Sequence, residues 1–141
     1  MQLEARGDAE ARAEARAAYE RAAAGCPTFG DALCNLGRMH AEDGEAALAE
    51  SWFRLAICAE PACALYWFNL GVSVEDQGRN AEAIAAYERA IELDPQAADA
   101  NHNLSRLLEL TGRRTGDVEL MRSAVRHLLR YRQLTRRKAA R

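Results

Sequence analysis

The sequence predicts an all-α fold: an α-solenoid of stacked antiparallel helix pairs, with about three units, an N-terminal half-unit and a C-terminal capping helix. Three observations carry that prediction. The stretches 30–61 and 64–95 repeat one pattern 34 residues apart. Leu33-x-x-Leu36-Gly37 returns as Trp67-x-x-Leu70-Gly71, Ala49-x-x-x-Phe53-x-x-Ala56 as Ala83-x-x-x-Tyr87-x-x-Ala90, and Pro61 as Pro95. A period of that length marks units that cannot bury an apolar stripe alone and therefore stack. Glycine and proline also cut the chain into helix-length pieces with short loops between them. Within a piece the apolar spacing is helical: Ala83, Ile84, Tyr87, Ala90 and Ile91 form one stripe.

The elements follow in order. Asp8 caps a first helix that runs to about 24, ended by Gly25 and Pro27. Thr28 caps the next, which runs to Gly44. A partner over about 45–59 stops before Pro61, because the residue before a proline is pushed out of helical angles. Another helix spans about 62–77 and ends at Gly78; Asn80 caps its partner, which Asp94-Pro95 terminates. The last pair is predicted over about 96–111, ending at Gly112, and 117–134, with a loop at 113–116. Seven helices result. Gly37 and Gly71 let the two helices of a unit approach closely, and Phe53 and Tyr87 plug the space between them.

Composition restricts the function classes. Apolar residues are 49% and charged residues 28% of the 141, the balance of a soluble globular protein. No apolar run approaches the ~18 residues of a membrane span. The first residues lack the apolar core of a secretory signal, so the expectation is a cytoplasmic protein without membrane contact. Arginine and alanine in place of lysine suggest a bacterial source. Charge is uneven: residues 1–111 hold 9 Arg and Lys against 19 Asp and Glu, whereas 112–141 hold 10 against 2. Cys26, Cys34, Cys58 and Cys63 show no C-x-x-C pair or zinc-finger spacing, so no metal or cofactor is expected. Reduced thiols are the expectation, with Cys58 and Cys63, which flank a turn, leaving a bridge open.

The repeated motif resembles that of the tetratricopeptide repeat family: W-x-x-L-G-x-x-Y, then A-x-x-x-F-x-x-A, then P. The 64–95 unit matches at Trp67, Leu70, Gly71, Ala83, Tyr87, Ala90 and Pro95, and the 30–61 unit at Leu36, Gly37, Ala49, Phe53, Ala56 and Pro61. The aromatic three residues after the glycine is missing, being His40 and Val74. Ala15, Tyr19, Ala22 and Pro27 match only the second half of a unit, giving a half-repeat over 8–27. Leu104-Ser105 opens a divergent repeat over 98–134 with an insertion near 113–116, followed by a basic tail, 135–141.

The resemblance implies a non-catalytic adaptor that holds a peptide of a protein partner in a concave groove lined by the first helix of each pair. Its candidate residues are Asn35 and Arg38; Leu65, Phe68, Asn69 and Val72; and His102, Asn103 and Arg106. Asn35, Asn69 and Asn103 recur at the repeat period, and an amide that donates and accepts can pair with any peptide backbone. The family's two-carboxylate clamp is not matched, since Asp99 stands where that clamp needs a cation.

The C-terminal helix is the second candidate. Val118, Met121, Val125, Leu128 and Leu129 are predicted to form its apolar capping face. Arg122, Arg126 and Arg130 form a cationic line at i, i+4 and i+8 that Arg136, Arg137, Lys138 and Arg141 extend into a frayed tail. The alternative function is therefore an accessory or self-associating module of a bacterial transcriptional regulator or larger assembly, acting through this basic helix. With only Tyr131 to stack on bases, nucleic acid is disfavoured as its partner. No phosphate loop, nucleophile elbow or H-E-x-x-H pair is present, and His40, His102 and His127 stand on separate helices, so no enzyme is expected.

Overall fold

A computed structural model describes residues 9, 10, 12, 13 and 28–139. Asp8, Ala15, Tyr19, Ala22, Cys26, Pro27 and Arg141 lie outside the described residues. Among the described residues six helices have both ends placed: α1 (Phe29–Glu42), α2 (Ala46–Ala59), α3 (Ala64–Asp76), α4 (Asn80–Leu93), α5 (Ala98–Thr115) and α6 (Val118–Ala139). They fall into two compact units, divided after Ala62.

In the first unit α1 packs on α2. A Cβ added to Gly37 would lie 2.6 and 2.8 Å from ring carbons of Phe53, so the helices meet at a distance only glycine permits. Phe53, Ala49 and Ala56 are fully buried behind that contact. Thr28 occupies the N-cap of α1, but its hydroxyl donates to Asp31 Oδ2 (2.6 Å) rather than accepting a backbone amide. His40, standing where the family motif has an aromatic, stacks parallel to Trp52 with ring centroids 6.3 Å apart.

The second unit repeats the device. A Cβ on Gly71 would lie 2.6 and 2.7 Å from the Tyr87 ring, and Tyr87, Ala83 and Ala90 are fully buried. The turns match too. Gly44 and Gly78 adopt φ of 79° and 80°, and each is bracketed by the same two hydrogen bonds: Gly44 N to Ala41 O and Glu45 N to His40 O, then Gly78 N to Glu75 O and Arg79 N to Val74 O. This αL closure satisfies the last carbonyls of the first helix and reverses the chain. Asn80 is the first residue of α4 and not its cap; Arg79 holds the cap position.

The last pair departs from the predicted outline. Residues 113–115 are helical and not loop, and α5 ends only at Gly116, which takes the left-handed conformation (φ 73°). Gly112 is therefore interior to α5, where its missing Cβ admits Met121 of α6: an added Cβ would meet Met121 Cγ at 2.7 Å. Asp117 then caps α6, its Oδ1 accepting the Glu119 and Leu120 amides at 3.0 and 3.3 Å. The separation between facing positions grows from 16 residues (Gly71 to Tyr87) to 23 (Ser105 to Leu128). Seven extra residues are about two helical turns, one on each helix, so the packed faces keep their phase.

The packed face of α6 differs from the predicted one. Val118, Val125 and Leu129 are 53%, 55% and 53% exposed, while Ala124 and Leu134 are buried and Met121, His127, Leu128 and Tyr131 half-buried. The packed face lies about a quarter-turn round the helix from the expected one, and His127 and Tyr131 belong to it.

Candidate functional site

Asn35, half-buried, and Arg38, exposed, belong to α1 in the first unit. The other groove candidates stand on α3 and α5 of the second, where Asn103 and Arg106 join a bonded group. Tyr87 Oη donates to Glu75 Oε1 at 2.9 Å, Asn103 Nδ2 donates to Tyr87 Oη at 3.4 Å, and the Arg106 guanidinium pairs with Glu75. Burial, and then the Glu75 carboxylate, push the Tyr87 phenol far above its usual range, so it stays a neutral donor. α3, α4 and α5 are thus tied together through four side chains. Arg106 has its charge matched within the fold, and the Asn103 carbonyl oxygen takes no part in the bonded group.

His102 is exposed and packs against Tyr131 of α6, ring centroids 4.8 Å apart. His127, on the opposite strip of that interface, places Nδ1 3.0 Å from Asn101 Oδ1. Because Asn101 Nδ2 donates to Ala97 O, its Oδ1 must accept, and His127 therefore carries its proton on Nδ1. Burial, then the neighbouring Arg126 charge, lower the His127 pKa, so this histidine is a neutral structural clasp between α5 and α6.

Beside this group lies a cleft of about 480 Å³. Its apolar floor is Leu65, Phe68 and Leu134, and Phe68 itself rests on the Tyr87 ring at 5.7 Å. Asp94, Asp99, Arg137 and Lys138 also line it. Leu65 is 52% exposed. Leu65 and Phe68, expected in the groove, line this cleft, and so do Leu134, Arg137 and Lys138 of α6, which were not among the expected groove residues. The available signal was a missing stop: Leu93 is followed by Asp94-Pro95, Leu134 by Thr135-Arg136. The basic tail is consequently helical to Ala139 rather than frayed from 135.

Of the cationic line, Arg122 pairs with Glu119 at 2.8 Å on an exposed surface, where such a pair contributes ~0–1 kcal/mol. Arg126 is exposed and Arg130 half-buried. Cys34 is buried, Cys58 exposed and Cys63 half-buried, all as thiols. Among the described residues, no helix is long and apolar enough to cross a membrane.

Helix pairs locked by glycine against an aromatic ring, closed by identical turns one period apart, define a helical-repeat interaction module. Family models carry this to a family: one described as tetratricopeptide repeat matches residues 1–62, and one described as TPR repeat matches 76–112. The chain belongs to the tetratricopeptide repeat family, and its class is that of a protein–protein interaction module. Stretches of 53 residues, 38% of the chain, are 42% identical to the peroxisomal targeting signal receptor of Eremothecium gossypii and 40% identical to that of Candida glabrata. Each match spans 9% of the receptor's length. Among solved structures, MamA of Desulfovibrio magneticus RS-1, from residue 41 onward, is similar with a TM-score of 0.70 at 19% identity, covering 92% of this chain and 70% of that one. That likeness concerns the fold, an all-α solenoid.

Proposed function

We propose that the chain is a non-catalytic adaptor whose α3–α5 face holds a peptide segment of a protein partner. The observation that carries this reading is the cleft at Leu65 and Phe68, an apolar floor left open beside half-buried Asn69 and Asn103. A partner side chain seated on Phe68 would exchange water for an aromatic surface already held rigid by Tyr87, at little entropic cost to the protein. Selection from a displayed random-peptide library tests it. Enriched peptides should bind the chain and lose affinity on Phe68→Ala with helicity retained; peptides indifferent to that change, or none enriched, contradict the reading.

A second reading has its own support: Val118, Val125 and Leu129 are exposed apolar residues of α6, interspersed along the helix with Arg122 and Arg126. Solenoid ends are ordinarily polar. A self-associating module of a larger bacterial assembly would use these residues, and sedimentation at low and high salt distinguishes it, since arginine-driven docking weakens with salt.

A further inference from the structure

The last helix does more than close the stack. α4 stops at Leu93 because Pro95 follows; α6 has no proline after Leu134 and continues to Ala139. The added turn places Arg137 and Lys138 on the wall of the cleft whose floor is Leu65, Phe68 and Leu134. Neither cation has an ion pair with a described residue within 4.0 Å, and of the two carboxylates in the lining Asp94 has a hydrogen-bond partner close by. Asp94 Oδ1 accepts the Gln96 amide at 3.0 Å, and Asp99 lies in the first turn of α5, where the helix dipole offsets an anion. Arg137 and Lys138 stand in the last turn of α6, where the dipole favours cations in the same way. The charged side chains of the lining without a hydrogen-bond or ion-pair partner are thus two cations and one carboxylate, a surplus of positive charge beside an apolar patch. The same two carboxylates and the apolar floor disfavour a polyphosphate, which would bring several anions close to both aspartates.

We propose that this cleft recognises a partner segment in which a bulky apolar side chain stands close to an acidic side chain. The apolar group rests on Leu65, Phe68 and Leu134, and the carboxylate meets Arg137 and Lys138. A guanidinium binds a carboxylate through two parallel hydrogen bonds, and a partly enclosed site makes such charge-assisted bonds stronger than at an open surface. The volume suits one large side chain and its neighbours rather than a whole helix. This assignment rests on the peptide-binding reading and adds its sequence preference. It also makes Arg137 and Lys138 specificity-determining residues.

Peptide arrays test it with the full chain. Short C-terminally amidated peptides pair Leu or Phe with Asp or Glu nearby, and matched sets carry Lys or Arg, or Ser or Gln, at the acidic positions. Bound peptides are then titrated by fluorescence anisotropy. The acidic–apolar set is expected to bind about tenfold more tightly than the neutral set, as one charge-assisted contact warrants. Arg137→Gln/Lys138→Gln should abolish that preference with helicity unchanged, and Arg137→Glu/Lys138→Glu should turn it toward the basic set. Equal affinity for all three sets, a preference untouched by the glutamine variant, or binding only when a free C-terminus is restored overturns the inference and leaves the groove standing. If no set binds, or binding ignores Phe68→Ala, the groove reading falls with it.

Discussion

Replacing Gly71 by alanine separates the packing account from helix propensity, because the two predict opposite signs. Propensity alone favours the change by ~1 kcal/mol, since glycine is a poor helix former. The structure puts the new Cβ 2.6 Å from Tyr87 Cε1 and 2.7 Å from Cδ1, against an ordinary contact of 3.4 Å or more. The ring has no room to withdraw: it is fully buried, its hydroxyl is bonded to Glu75, and Phe68 lies against it. Overpacking of that kind, with part of the ring's burial lost, costs about 2–4 kcal/mol. Gly71→Ala should therefore destabilise by about 1–3 kcal/mol net, read as a lower urea midpoint. In a Tyr87→Leu background the obstruction is gone, and the same change should be neutral or stabilising. A raised midpoint for Gly71→Ala in the native background would refute the packing account. Gly37→Ala, facing Phe53 at 2.6 Å, should behave the same way.

Two further outcomes are expected. His127 has a lowered pKa in the fold, so the unfolded chain binds the proton more readily. Its contribution is whole above the unfolded value of about 6.5 and is lost as pH falls below it; urea midpoints should drop from pH 7.5 toward pH 5, and His127→Gln should flatten that slope. Ser105 and Leu128 line a hollow of about 190 Å³ where the preceding units have glycine against an aromatic ring. Leu128→Phe should fill it and stabilise by ~1 kcal/mol in urea denaturation, whereas an unchanged or lowered midpoint would show that the hollow cannot accept a ring.

Much of the fold was legible because its determinants are local and periodic. Gly37 with Phe53 and Gly71 with Tyr87 could be paired from spacing alone, since each glycine lies at one point of the period and each ring at another. The last unit was harder. Gly112 looks like a helix terminus, and only the packed position of Met121 shows that its role is close approach inside α5. Val118, Val125 and Leu129 are apolar enough to suggest a buried face, yet His127 bonded to Asn101 and Tyr131 against His102 turn a different side of α6 inward. Polar residues that find partners across an interface outweigh a count of apolar ones. At the candidate site, Leu65 and Phe68 followed from their position on the first helix of the pair. That Arg106 and Asn103 bond to Glu75 and Tyr87 depends on residues 16 and 31 positions away, which periodicity does not encode. Arg137 and Lys138 reach the cleft only because nothing stops α6 where Pro95 stops α4.

The central claim is that the cleft at Leu65 and Phe68, and not the exposed Val118, Val125 and Leu129 of α6, receives the partner. Photo-crosslinking decides between them most directly: a photoreactive amino acid is placed at Leu65 in one protein and at Val125 in another, each irradiated with a library-selected peptide. Both positions are exposed, so accessibility is balanced between them. The account predicts that the peptide is captured from Leu65 and spared from Val125, and that excess unlabelled peptide competes for the capture. Capture from Val125 with none from Leu65 would contradict it.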